Sequence, residues 1–210
     1  WRIGDAYHVA DIDPAAVQLT AGANRAAEPR DTVAVDTTTL AGVPVADTVI
    51  DQLTLRGALA RAIQVCAALD RILDLTLVHT TERIQFGRAL GKFQAVQNLV
   101  ADIAAETALA RAATDAALAE AVRTDWVGEN LEFLVAAARS CAGHAASVVA
   151  RNAHQVHGAI GTTREHRLHE FTQPALAWRS EYGSLQHWDD LLTTAATTAG
   201  RDGLWALVTA

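Results

Sequence analysis

Arg83-Ile84-Gln85-Phe86-Gly87, followed by Phe93-Gln94, and Gln155-Val156-His157-Gly158-Ala159-Ile160-Gly161 are the two strings on which the fold turns. Each lies between long alanine-rich stretches of helical period, so each is a joint with a defined shape at a helix end. Upstream of the first, Leu53, Leu59, Ile63, Cys66, Leu69, Ile72, Leu73 and Leu77 recur mostly at three- and four-residue steps, which makes one apolar stripe. That spacing predicts a helix from about Asp51 to Thr81. A second is expected from about Ala89 through Phe93, Val96, Leu99, Ile103 and Ala110 to near Val122, without a proline. A third is expected to start near Thr124 or Asp125, whose side chains can cap it, and to continue through Leu131, Leu134, Val135, Ala138, Cys141 and Val148 to His154. Long helices with short joints predict a mainly α protein built as an antiparallel bundle. Pro174 suits the first turn of a shorter helix, and Gly183 a break before a last one through Leu185, Trp188, Leu191 and Leu192.

Residues 1–47 read differently. Short β-like runs at 15–20 and 32–35 are separated by Pro14, Gly22 and Pro29. So few strands cannot cover both faces of a sheet and must pack on the helices or on further chain. The expected organisation is a β remnant at 1–47, a helical bundle at 48–199 and a tail at 200–210. With 210 residues, half of them hydrophobic, the chain can bury one substantial core. A net charge of −7 argues against binding a nucleic-acid backbone. Cys66 and Cys141 lie in apolar helical text, where a thiol is usually a small hydrophobe. No apolar run of the roughly 18 residues needed for a membrane span is evident, and no signal pattern opens the chain. These features predict a soluble cytoplasmic protein. The chain opens on Trp1 and contains no methionine, which suggests a piece of a longer product.

The joints carry the chemistry. Arg83 precedes a glycine turn; a guanidinium grips phosphate with parallel hydrogen bonds, and it serves equally as a partner for a helix dipole. Gly158 and Gly161 can expose amides that cradle an anion, or simply stop a helix.

Taken together and in this order, the two strings resemble the C-terminal helical domain of the acyl-CoA dehydrogenase family. The likeness rests on Glu82 to Gly87 at the end of the first helix, Phe93-Gln94-Ala95-Val96-Gln97 at the start of the second, and Gln155 to Gly161 at the end of the third. It covers roughly Leu53 to Asp190. Residues 1–47, including Glu28-Pro29-Arg30-Asp31-Thr32-Val33, look like the tail of that family's middle β domain. The resemblance implies that Arg83, Gln85, Phe93 and Gln94 contact an FAD at a subunit boundary. It also implies that Gln155, Val156, His157, Gly158 and Ala159 approach the adenosine diphosphate of a flavin held largely by a neighbouring subunit. Ser184 and Gln186 match flavin-contacting positions. The implied activity is α,β-dehydrogenation of an acyl-CoA thioester: a carboxylate takes a proton from Cα, the flavin accepts hydride from Cβ, and an electron-transferring flavoprotein removes the electrons. The implied assembly is a homo- or hetero-oligomer, such as a dimer of dimers.

At the decisive position the order is Glu181-Tyr182-Gly183, whereas most family members have tyrosine-glutamate-glycine. Tyr182 therefore takes the catalytic column, and Glu181, one residue earlier, is the candidate base if the turn is irregular. The alternative acid that some members carry on the first helix would fall at Gly57. A displaced glutamate also suits a non-catalytic or half-site structural subunit that does not bind flavin productively, in a heteromeric enzyme like the bacterial ones for steroid side-chain acyl-CoAs; a role in fatty acid or sterol degradation is the expectation. His154, His157, His166 and His169 with Glu165 and Glu170 raise the alternative of a metal-binding bundle. The paired Glu-x-x-His pattern of carboxylate-bridged metal bundles is missing, so no metal is assigned.

Overall fold

The computed structural model describes residues 1–209. Five short strands precede the helices: β1 (Arg2–Ile3), β2 (Ala6–Val9), β3 (Gln18–Thr20), β4 (Thr32–Ala34) and β5 (Val43–Val45). They form a three-stranded antiparallel sheet in the order β1-β2-β5 and a separate β3-β4 hairpin. None of these strands buries a residue fully, so the β part of this chain holds no core of its own.

The helices follow as α1 (Asp47–Glu82), α2 (Gln94–Arg123), α3 (Leu131–His157), α4 (His169–Trp178) and α5 (Leu185–Thr209). Between α1 and α2 lies a tight hairpin of two-residue strands, β6 (Ile84–Gln85) and β7 (Arg88–Ala89). The bundle expectation holds, while three boundaries move for local reasons. The second helix starts at Gln94 rather than Ala89, because Ile84 pairs with Ala89 and Gln85 with Arg88, and a 3-10 turn at Leu90–Lys92 follows. The third starts at Leu131 rather than at Thr124 or Asp125, because Asp125 and Trp126 both have positive φ (48° and 68°), which no α-helix contains. Pro174 lies inside α4 rather than in its first turn. Gly183 does break the chain, with φ of +120°, and residues after Gly200 return to helix beyond a kink there.

α3 is the centre of the bundle and packs against α2, α1 and α5. Its buried face is made of Ala136, Ala138, Ala142, Ala145, Ala146, Ala150 and Ala153, with Val135 and Val149. Small side chains let neighbouring helices approach closely, so packing density comes from backbone proximity. The window Leu131–Thr162 is long and apolar enough to cross a membrane by length and composition, contrary to the expectation from the bare sequence, yet 56% of it is buried inside the bundle. The core supplies its apolar character. Close helix contact at Ala142, which is fully buried, leaves no room for added methylenes. Ala142→Leu should lower unfolding free energy by about 1–3 kcal/mol, read from a urea titration as a reduced midpoint at unchanged slope.

Candidate functional site

The C-terminal ends of α1 and α3 meet. His79, Glu82 and Arg83 from the first, and His157, Ala159 and Ile160 from the second, line one cleft of about 470 Å³. The two joints singled out by sequence therefore converge. Gly158 ends α3 with φ of +63°, and a Cβ placed there would touch nothing within 4 Å. The Arg83 side chain is exposed and makes no ion pair among the described residues. On the adjoining hairpin Phe86 is 92% exposed with φ of +51°, an unusual cost for a large apolar ring in a lone chain.

The other sequence-predicted residues divide by access. Gln94, Gln155 and Ala159 are exposed, Gln85 and Phe93 half-buried. Phe93 carries the Arg88 guanidinium 4.1 Å over its ring. Val156 is 6% exposed and belongs to the core side of α3, so only its backbone is available to a ligand.

His157 forms the floor of the cleft. Its Nδ1–H donates to the Ala153 carbonyl at 2.8 Å, which directs an unprotonated Nε2 inward. That Nε2 is buried and has no partner. Burial, reinforced by nearby imidazoles, pushes its pKa down to about 4. His79 stacks on His157 at 4.4 Å and His166 meets it edge-on at 4.6 Å. Sequence spacing missed His79, which lies 78 positions from His157 and is brought there only by helix packing.

Ring nitrogens of His79, His157 and His166 lie within 4.8 Å of one another. Three imidazoles are a donor set that zinc accepts. Here two of the rings are stacked and the Nδ1 of His166 accepts from the Leu168 N–H, the arrangement of packed rings rather than a chelate.

A second constellation forms around the 178–183 turn. Glu181 is held by two arginines: Arg30 reaches Oε1 at 2.5 Å and Arg61 reaches Oε2 at 2.6 Å. Tyr182 follows with φ of +58°. Its ring lies on α1 at Gly57, where an added Cβ would stand 2.2 Å from Cε1. Only glycine at 57 admits that ring. Arg139, 1% exposed on α3, donates through one nitrogen to the carbonyls of Trp178, Arg179 and Glu181 at 3.3, 2.9 and 2.9 Å. Burial lowers its pKa to about 10, still charged at neutral pH. A single arginine within the apolar stripe of α3 was the signal for it. Ser184 caps the start of α5 by accepting from the His187 N–H at 3.1 Å. Ser184 and Gln186 are both exposed beside this turn, on a different side of the molecule from the histidine cleft: residues 139 and 157 are separated by about 27 Å along α3, at 1.5 Å per residue.

Residues 47–186 match the family model described as the acyl-CoA dehydrogenase C-terminal domain. Acyl-CoA dehydrogenase IpdE2 of Mycolicibacterium smegmatis is 33% identical over 163 residues, which are 76% of this chain and 48% of that protein. Acyl-CoA dehydrogenase FadE34 of Mycobacterium tuberculosis is 36% identical over 129 residues, 61% of this chain and 18% of that protein. Among solved structures, the ChsE4-ChsE5 complex from Mycobacterium tuberculosis superposes with a TM-score of 0.78 at 23% identity, over 90% of this chain and 51% of that one. The chain thus spans about half the length of IpdE2.

The depressed His157 pKa has a definite sign. The folded protein keeps the ring neutral, whereas the unfolded chain takes up a proton near its ordinary 6.5. Stability is full above about pH 6.5 and falls as pH drops from there to about 4, by up to about 3 kcal/mol at 1.36 kcal/mol per unit. His157→Gln should flatten that part of a stability-versus-pH curve measured by urea unfolding.

Proposed function

Because this chain belongs to the acyl-CoA dehydrogenase family, we propose that it takes part in the FAD-dependent α,β-dehydrogenation of an acyl-CoA thioester, as a subunit whose cleft completes a flavin site shared with its neighbour. One observation carries this: Arg83 and the His157–Ile160 turn line the same cleft. The donor set suits a dinucleotide. Arg83 offers a free guanidinium for phosphate, and Gly158 leaves the backbone open to close approach. The buried, unpartnered Nε2 of His157 accepts a hydrogen bond and so suits an amino or hydroxyl group. Gln85, Phe93, Gln94 and Gln155 surround this end of the bundle. When bound, FAD supplies the acceptor for the hydride that leaves Cβ.

Sharing is supported by two features. Phe86 is an apolar ring that a neighbouring subunit would cover. The second constellation, with Ser184 and Gln186 beside Glu181, lies well along α3 from the cleft, so one chain would serve two different flavins. Residues 1–47, on this reading, are the end of a middle β domain, and 48–199 the bundle with a short tail beyond. An electron-transferring flavoprotein is the proposed electron acceptor.

Glu181 adjoins Tyr182, whose ring lies on Gly57, and is the acid this reading considers as the base. Two guanidiniums occupy both of its oxygens. Proton abstraction from Cα requires it to leave that grip. The packing of Tyr182 on Gly57 favours a second reading, in which this chain is the half-site subunit of a heteromer and its partner brings the base.

Arg83→Ala should weaken flavin retention by about 1.5–3 kcal/mol, roughly 10- to 150-fold, as for a lost charge-assisted hydrogen bond. Flavin absorbance after gel filtration of the assembled protein reads this directly, and undiminished retention would remove the cleft from flavin binding. Glu181→Gln distinguishes the two readings. Loss of acyl-CoA-dependent flavin bleaching assigns the base to this chain, whereas unchanged bleaching assigns it to a partner.

A further inference from the structure

Arg30 and Arg61 come from distant parts of the chain, a loop before β4 and the middle of α1, yet close on one carboxylate from opposite sides. Each has further partners besides that carboxylate. Arg30 also donates to the Pro29 carbonyl at 2.7 Å and to Glu28 at 3.2 Å. Arg61 donates to Gln64 at 2.6 Å and lies 5.5 Å over the Trp178 ring. Trp178 in turn donates to both Glu28 oxygens at 3.0 Å. The two guanidiniums are thus braced by Glu28, Gln64 and Trp178, in a geometry matched to a carboxylate.

The element that now fills the clamp is the less secure partner. Glu181 stands between the end of α4 and Gly183, next to Tyr182 in a left-handed conformation that a bulky residue adopts at a cost. The side chains of Arg30, Arg61 and Glu181 are 38%, 20% and 22% exposed, so solvent reaches the site. Charge balance demands an anion there. Without Glu181, the guanidiniums of Arg30 and Arg61, with buried Arg139 behind them, would face Glu28 alone.

Position gives the site a meaning. Arg61 is four residues beyond Gly57 on the same face of α1, about 6 Å along the axis. Gly57 and Tyr182 mark the two places where the family resemblance puts the base, and hence the neighbourhood of the acyl Cα. We propose that Arg30 and Arg61 form a recognition clamp for a carboxylate carried at the far end of a short acyl group, and that Glu181 occupies it as an internal stand-in until a substrate of that class arrives. The inference rests on the acyl-CoA reading above and names the substrate class. Exchange of one carboxylate for the other also leaves Glu181 outside both guanidiniums, with its oxygens unoccupied. The same event that selects the substrate would release the base.

The test is equilibrium binding to the full-length protein, purified with any subunit that accompanies it. Glutaryl-CoA and valeryl-CoA share a chain length and differ by the terminal carboxylate. Glutaryl-CoA should bind at least about tenfold more tightly, the effect of one net charge-assisted contact. Arg61→Gln should abolish that preference and leave valeryl-CoA binding unchanged. Glu181→Gln should tighten glutaryl-CoA several-fold, because the competitor is gone. Equal binding of both thioesters to the wild type would overturn the clamp and leave the acyl-CoA reading intact. Binding of neither would overturn both. A Glu181→Gln variant that loses glutaryl-CoA, as Arg61→Gln should, would show a structural clasp and overturn the proposal. Should Arg61→Gln fail to fold by circular dichroism, Arg30→Gln, on the exposed loop, carries the same comparison.

Discussion

The close packing of α3 among its neighbours is the constraint on which the remaining structure depends. Its buried alanines bring α1 and α2 near, and they do so with backbone proximity instead of bulky interdigitation. Once α3 is fixed, both constellations are fixed with it. His157, its last residue, sets the floor of the cleft, and Arg139, two turns from its start, gathers three carbonyls of the 178–181 turn. A helix is stiff, so the two sites keep their separation and cannot drift relative to one another. This is why a single straight element can define two separate side-chain constellations on the same chain.

Burial has opposite chemical consequences at those two places. At His157 it removes charge, keeping the ring neutral and its inner nitrogen an acceptor. At Arg139 burial is tolerated because the charge is spread over backbone carbonyls, and the guanidinium stays protonated near neutral pH. Two of its nitrogens nevertheless lack partners. Buried donors left without partners are costly, and their retention here goes with an unusual turn: Glu181 turned to face arginines and Tyr182 in a left-handed backbone over Gly57. Arg139 holds the carbonyls that shape this turn.

Periodicity made most of the helical architecture legible. The stripe from Leu53 to Leu77 predicts α1, and Leu59, Cys66, Leu69 and Ile72 are indeed buried in it. The joints at Arg83 and Gln155 were legible as glycine-bearing interruptions, and their convergence followed from an antiparallel arrangement of the helices that carry them. The misplaced starts of α2 and α3 have a common cause. Ala89 and Thr124 sit in text of helical composition, but the first is captured by a hairpin and the second precedes two residues of positive φ. Local backbone geometry of that sort leaves no mark in hydrophobic spacing.

By itself, then, the order of residues determined a mainly α bundle and its two glycine-bearing joints, because period and glycine placement are properties of short stretches. Only the tertiary structure decided that His79 joins His157, that Tyr182 lies on Gly57, and that Arg30 and Arg61 close on Glu181. Those pairs are separated by 78, 125, 151 and 120 positions. Charge and shape act through space, and chain distance carries no record of which side chains packing will bring within a few ångströms.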